Sequence, residues 1–271
     1  MRQTRQLSEI VEQRIDKCRE TQSPVLDLAD LGLTHVPDTV FTLTQLKRLK
    51  LGVWPSFRSS DNQITELPEA ITNLHNLTQL NLSGNQLSTL PDSFTSLYNL
   101  THLYLSFNQL STLPDSFTDL HNLRILDLSW NALSTLPEAI TNLHNLQILW
   151  LHENQLRSLP EAITSLHNLT HLYLSSNRLN ILPESFSQLQ NLQILTLSSN
   201  QLNTLPEAIT NLHNLHTLRL RDNQLTNPPQ EIANQGIEAI RNYFAEYRAN
   251  HDRLYEIKLL LVGEGVLAKH R

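Results

Sequence analysis

The 271-residue chain carries a net charge of −6 and a sequence pI near 6.0, which gives it no general attraction to nucleic acid or to an anionic membrane surface. No apolar run reaches the length of a membrane helix, and the N-terminal stretch MRQTRQLSEIVEQRIDKCRE lacks the apolar centre of a secretory signal. Cys18 is the only cysteine, so no disulfide can form within the chain and a reducing, cytoplasmic setting is expected.

Residues from about Thr4 to Glu20 read as an amphipathic helix with Leu7, Ile10, Val11, Ile15 and Cys18 on one stripe, and Ser23-Pro24 ends it. Cys18 is then a small apolar member of that stripe. From Val25 a repeating unit begins. Leu26 and Leu28 open the first copy, with Leu31 where later copies carry Asn; Leu46, Leu49 and Leu51 open the second. Eight extra residues, GVWPSFRS at 52–59, interrupt that second copy. Trp54 and Phe57 in this insertion either fold back on the array or overhang its binding face, since insertions in repeat arrays map to loops near one face. Beyond it the frame is unbroken. Asn recurs at 62, 85, 108, 131, 154, 177, 200 and 223, and Pro follows each Asn by six residues, from Pro68 to Pro229.

The unit, written out at Leu100–Leu120 as LTHLYLSFNQLSTLPDSFTDL, is the 23-residue pattern LxxLxLxxNxLxxLPxxIxxLxx and resembles the leucine-rich repeat. Within it LxLxx is a short strand whose leucines point inward and whose intervening residues point outward. One copy cannot bury both of its sides, so copies must stack. The resulting expectation is an α/β leucine-rich-repeat solenoid with a curved parallel β-sheet on its concave face. The Asn side chains should form a buried ladder tying neighbouring backbone groups, and each Leu-Pro step should set an extended convex return. Residues 1–24 and 233–254 are expected to cap the two open ends around repeats at 25–232, the second helix presenting Ile237, Ile240, Phe244 and Tyr247. The Asn-x-Ser/Thr triplets at Asn76, Asn81, Asn99 and Asn168 follow from the repeat itself, and Asn81 sits on a strand.

Function would sit on the outward strand positions. The central outward row reads Asp27, Lys50, Asn81, Tyr104, Asp127, Trp150, Tyr173, Thr196 and Arg219, and the next reads Phe107, Trp130, Glu153, Ser176, Ser199 and Asp222. Aromatics cluster on consecutive turns, with Asp127 and Glu153 among them, His102, His152 and His171 beside them, and Arg219 and Arg221 at one end. Such exposed aromatics mark contact sites. The expected partner-binding set is Tyr104, Phe107, Asp127, Trp130, Trp150, His152, Glu153, His171, Tyr173, Arg219 and Arg221. A plain alternative is that Tyr and Trp merely favour strands. His75, His121, His144, His167 and His213 share one repeat position where Tyr98 and Gln190 also stand, so they read as convex consensus residues rather than a metal row. No nucleophile with an oriented base is evident, and no catalytic residue, cofactor or metal is expected.

After Pro228-Pro229 the repeat stops. The segments GIEAIRNYF (236–244) and KLLLVGEG (258–265), following the repeats, resemble the junction of Roco proteins, in which a leucine-rich-repeat region precedes a Ras-like GTPase domain. The resemblance implies a phosphate-binding loop at 255–271. Gly263 and Lys269 keep its spacing, but Ala268 replaces its second glycine and His270 the hydroxyl that would hold Mg²⁺. Gly263 and Lys269 are therefore expected to be vestigial. The leading functional expectation is a cytoplasmic, monomeric interaction module for a protein or peptide, part of a Roco-type signalling protein. The alternatives are a nucleotide-regulated protein of that type and a solenoid that binds small molecules or glycans in a deep pocket.

Overall fold

The computed structural model of the chain describes residues 2–53, 62–114, 117 and 119–250. Trp54 and Phe57, with most of the insertion, lie outside them, as do Gly263, Ala268, Lys269, His270 and the rest of the 255–271 segment. Among the described residues nine three-residue strands run β1 (Val25–Asp27), β2 (Arg48–Lys50), β3 (Gln79–Asn81), β4 (His102–Tyr104), β5 (Ile125–Asp127), β6 (Ile148–Trp150), β7 (His171–Tyr173), β8 (Ile194–Thr196) and β9 (Thr217–Arg219). They form one parallel sheet in sequence order, each paired with the next. The register aligns equivalent positions of every turn: Leu80, Leu103, Leu126 and Leu149 are direct neighbours, and so are Asn81, Tyr104, Asp127 and Trp150. A 23-residue repeat is thereby converted into straight rows of side chains.

Behind the sheet the inward leucines form one continuous core from Val11 of the N-terminal helix to Phe244 near the other end. The asparagine ladder is built as expected. Asn131 accepts the Leu110 N–H at 3.0 Å and donates to the carbonyls of Leu105 and Leu128 at 2.9 and 3.1 Å. Asn154 repeats the pattern with Leu133, Leu128 and Leu151. Each amide thus ties its own turn to the one before it, satisfying buried backbone groups that lack a strand partner. At the array's start Asn62 serves two turns: its Oδ1 accepts from the Leu31 and Leu33 N–H groups, and its Nδ2 donates to Leu28 and Leu51. The ladder therefore resumes in register beyond the insertion. Gly52, where that insertion departs, has a packing reason. A Cβ there would sit 1.9 Å from the Ser83 carbonyl oxygen.

The convex return departs from the extended expectation. The prolines are extended, as at Pro68 with φ −72° and ψ 155°, but a five-residue 3₁₀ turn follows, such as Glu69–Asn73, Glu138–Asn142 and Glu161–Ser165. The reason lies in the proline carbonyl, which accepts the N–H three residues on, as Pro68 does from Ile71 at 3.0 Å. The turn carries Ile71, Ile163 or Phe186 inward, and Phe94 stacks on Phe117 at 6.3 Å and 1°. A second, exposed asparagine row ties these returns together: Asn145 donates to the His121 carbonyl at 2.7 Å and Asn168 to that of His144 at 2.8 Å.

Both ends are closed by helices. The helix α1 (Arg2–Glu20) buries Val11, Ile15 and Cys18 against the first turn. At the other end the helical segment divides at Gly236 (φ +100°), giving a short α2 (Gln230–Ala233) and a longer α3 over 237–250. Ile237, Ile240 and Phe244 are buried as expected, whereas Tyr247 is exposed and stacks on Tyr243. None of the described helices is long and apolar enough to cross a membrane.

Candidate binding face on the concave sheet

Alternation along each three-residue strand sends its first and third residues to the concave side and its middle leucine to the core. The third-residue row brings Tyr104, Asp127, Trp150, Tyr173 and Thr196 side by side in register. Trp150 stacks on Tyr173, with ring centroids 5.8 Å apart and planes 15° from parallel. This geometry is what aromatic quadrupoles favour when offset.

Of the first-residue row, the sequence-based set holds His171, with His102 beside it, but not the isoleucines. The row places His102, Ile125, Ile148, His171 and Ile194 beside one another, all half-buried. Its signal was available two residues before each aromatic, because strand positions i and i+2 share a face. The row widens the aromatic strip into an apolar band, with His102 against Tyr104 and His171 against Tyr173 at ring separations of 6.4 and 6.3 Å.

Phe107, Trp130 and Glu153 stand one residue before the ladder asparagines, beyond the strands. Each has a left-handed backbone, with φ of 55°, 55° and 56°, as do Ser176, Ser199 and Asp222 in the same row. Gly84 is the glycine of that row, at φ 71°. Bulky residues rarely adopt this conformation, at about 1–2 kcal/mol each. It projects Phe107 and Trp130 from the sheet edge, where they stack at 5.0 Å and 8°. Trp130 remains 42% exposed. Beside the pair, where Gly84 has no side chain, lies a cavity of about 400 Å³ that Gln86 and Gln109 also line.

Two residues of the outward row are covered rather than presented. Asp127, expected among the contact residues, is 3% exposed, and its Oδ1 accepts the Ser129 N–H at 3.0 Å and the Ser129 hydroxyl at 2.6 Å. Asp27 and Asn81 receive the N–H two residues on in the same manner, so this carboxylate holds the strand-end turn. Thr196 is likewise buried between its neighbours. The remaining residues of the expected set, Tyr104, His152, Glu153, His171 and Tyr173, are half-buried on this side, and Arg219 and Arg221 are exposed at its end.

Burial governs the electrostatics of the face. It lowers the His102 and His171 pKa values, aided by the charges of Arg124 and His216 respectively. His152 is also lowered by burial, against the opposing pull of Asp127 and Glu153. Burial raises the Tyr104 phenol, with Asp127 adding to the effect, and raises that of Tyr173 against Arg219. The imidazoles are thus held towards their neutral form, in keeping with a face built for stacking and hydrogen bonding. Among the described residues no group of His, Cys, Asp and Glu could hold a metal ion.

Comparison with known proteins matches this architecture. The family model described as leucine rich repeat matches residues 25–87, 88–133 and 180–225, and that of the leucine-rich repeat region matches 114–197. A leucine-rich-repeat protein of Leptospira interrogans is similar at 32% identity and a TM-score of 0.70, over 80% of this chain and 60% of that one. The leucine-rich effector YopM of Yersinia pestis is similar at 31% and 0.67, over 82% of this chain and 55% of its own. A TDR receptor is similar at 28% and 0.67, over 74% and 35%. The chain therefore spans 35–60% of the length of these structures. No curated protein matches. With the family's models aligned from residue 25 to residue 225 on a stack of nine in-register turns, this chain belongs to the leucine-rich-repeat proteins.

Proposed function

We propose that the chain is an interaction module whose concave face holds a protein segment or peptide across strands β4 to β9. One observation carries this reading. Two stacked aromatic pairs, Phe107–Trp130 and Trp150–Tyr173, lie on consecutive turns of the face, and the first is held out by left-handed backbone. Strained positions and open aromatics are both features of contact surfaces. The extended concave sheet is also what repeat solenoids use for binding. The contacts proposed are Tyr104, Phe107, Trp130, Trp150, His152, Glu153, His171, Tyr173, Arg219 and Arg221, with Ile125 and Ile148 added and Asp127 supporting from beneath. A shallow in-register band suits an extended chain better than a small molecule, and it offers no nucleophile with an oriented base. Selection of a random peptide library on the full chain tests the reading. Binders should be recovered at micromolar affinity and displaced from Trp150→Ala but not from Gln79→Ala, a concave residue outside the cluster. Binders indifferent to Trp150 would place the site elsewhere.

We further propose that this module is the sensing arm of a Roco-type signalling protein acting in the cytoplasm. The segment 236–244, which opens α3, and the segment 258–265 beyond it support this, as does the single cysteine. Ala268 and His270 stand where a phosphate-binding loop needs a glycine and a Mg²⁺-binding hydroxyl. The expected outcome of calorimetric titration with GTP and Mg²⁺ is no heat of binding. Saturable micromolar binding would restore a nucleotide-regulated role.

A further inference from the structure

Beyond the aromatic band a cavity of about 540 Å³ lies at the far end of the concave face, between β9 and α2. Ser198, Arg219, Arg221, Ala233 and Asn234 line it. The rows of the sheet explain how they meet. Arg219 continues the row Trp150–Tyr173–Thr196, and Arg221 continues the row His152–Ser175–Ser198, each 23 residues further on.

The lining is a set of donors. Arg219 and Arg221 are exposed, and neither guanidinium has an ion-pair or hydrogen-bond partner among the described residues. The other arginines of this end are committed. Arg241 pairs with Glu238 and donates to the carbonyls of Thr210 and Leu212, and Arg248 pairs with Glu207 at 2.9 Å. At the opposite end of the sheet Lys50 is neutralised by Asp27 at 3.3 Å. Asn234 is oriented by Gln230, whose Nε2 donates to its Oδ1 at 3.0 Å, which leaves the Asn234 Nδ2 hydrogens available. Among the described residues no carboxylate lines the cavity; the nearest in sequence, Asp222, is engaged by the Ser199 hydroxyl at 3.5 Å.

We infer that this cavity takes a carboxylate of the peptide held on the concave face, its C-terminal group or an Asp or Glu side chain. The inference rests on the proposed peptide-binding face and fixes where on that face the occupant's carboxylate sits. Guanidinium forks bind carboxylates through paired, charge-assisted hydrogen bonds, and Ser198 and Asn234 supply further donors. The spacing also fits. Tyr173 and Arg219 lie two strands apart, about 10 Å at the usual sheet spacing, which about three extended residues span. A peptide seated this way lays an aromatic or aliphatic side chain on Trp150 and Tyr173 about three to four residues before its carboxylate.

Three synthetic octamer libraries, tethered by their N-termini and with Asp and Glu left out of the randomised positions, test the assignment on the full chain: free carboxyl end, C-terminal amide, and amide with one fixed Asp. The free-acid library should give binders at least tenfold tighter than the amide library, enriched in an apolar residue three or four places from the end. The double variant R219Q/R221Q should abolish that advantage while residual binding still depends on Trp150, and its melting temperature should match wild type. If the Asp library does as well as the free acid, the carboxylate comes from a side chain. Equal binding by all three libraries, still lost in Trp150→Ala, would overturn the carboxylate pocket and leave the concave-face reading standing. No binder from any library would overturn both.

Discussion

Asn131 shows how much one side chain can hold. Its amide closes the N–H of Leu110 and the carbonyls of Leu105 and Leu128, groups inside the stack that water does not reach. Removing it leaves them unpaired, so Asn131→Ala should destabilise by roughly 1–3 kcal/mol in chemical denaturation. Asn145→Ala removes a bond to His121 on the exposed side, where water substitutes, and should stay within about 0.5 kcal/mol. Equal effects would mean that the inner ladder is hydrated. Trp130 makes the converse case. Replacement by Gly relieves left-handed strain of about 1–2 kcal/mol, yet loses the stack on Phe107, about 0.5–1.5 kcal/mol, and adds unfolded-state freedom of similar size. Trp130→Gly should therefore leave the melting temperature nearly unchanged while weakening peptide binding, and a large loss of stability would show Trp130 to be a packing residue. The ladder was legible in the sequence because one residue type recurs eight times. The left-handed row was not, because Phe107, Trp130, Glu153, Ser176, Ser199 and Asp222 share no chemistry, and Gly84 alone hints at the conformation.

At the scale of the element, the strands could be read directly, while the returns and the C-terminal cap could not. The leucine alternation determines which face each strand buries, but Pro fixes only its own φ and its predecessor. The 3₁₀ turn after it depends on the proline carbonyl finding a donor three residues on. The break at Gly236 was hidden for a related reason: the apolar spacing from Ala233 to Phe244 continues through it. The concave histidines were visible as residues and not as titrating groups, since their burial comes from neighbouring strands. His102 and His171 open β4 and β7 with pKa values held below the ordinary 6.5 chiefly by burial. The folded state resists protonation that the unfolded chain accepts, so below about pH 6.5 the unfolded state binds more protons and stability is lost as pH falls towards the lowered values. The variant H102Q/H171Q should lose less melting temperature than wild type between pH 7 and pH 5. An identical loss would mean that these imidazoles titrate as they do in the unfolded chain.

For the whole molecule, a 23-residue period turns local sequence into long parallel rows, so the proposed binding face is assembled from residues spread over more than a hundred positions. Each turn contacts only its neighbours, and the helices α1 and α3 supply what the terminal turns lack. The core is committed by leucine on every turn, which leaves the outward rows free to vary. They vary towards aromatics on β4 to β7 and towards unneutralised arginines at β9. The central claim is that this face binds a peptide through Trp150, and parallel titration of wild type and Trp150→Ala with one selected peptide, alongside their denaturation curves, tests it most directly. The account predicts a loss of at least about 2 kcal/mol in binding, the range of interface anchors, with stability lowered by no more than about 1.5 kcal/mol, the worth of the stack on Tyr173. Unchanged affinity, or a collapse of stability that accounts for all the lost binding, would contradict it.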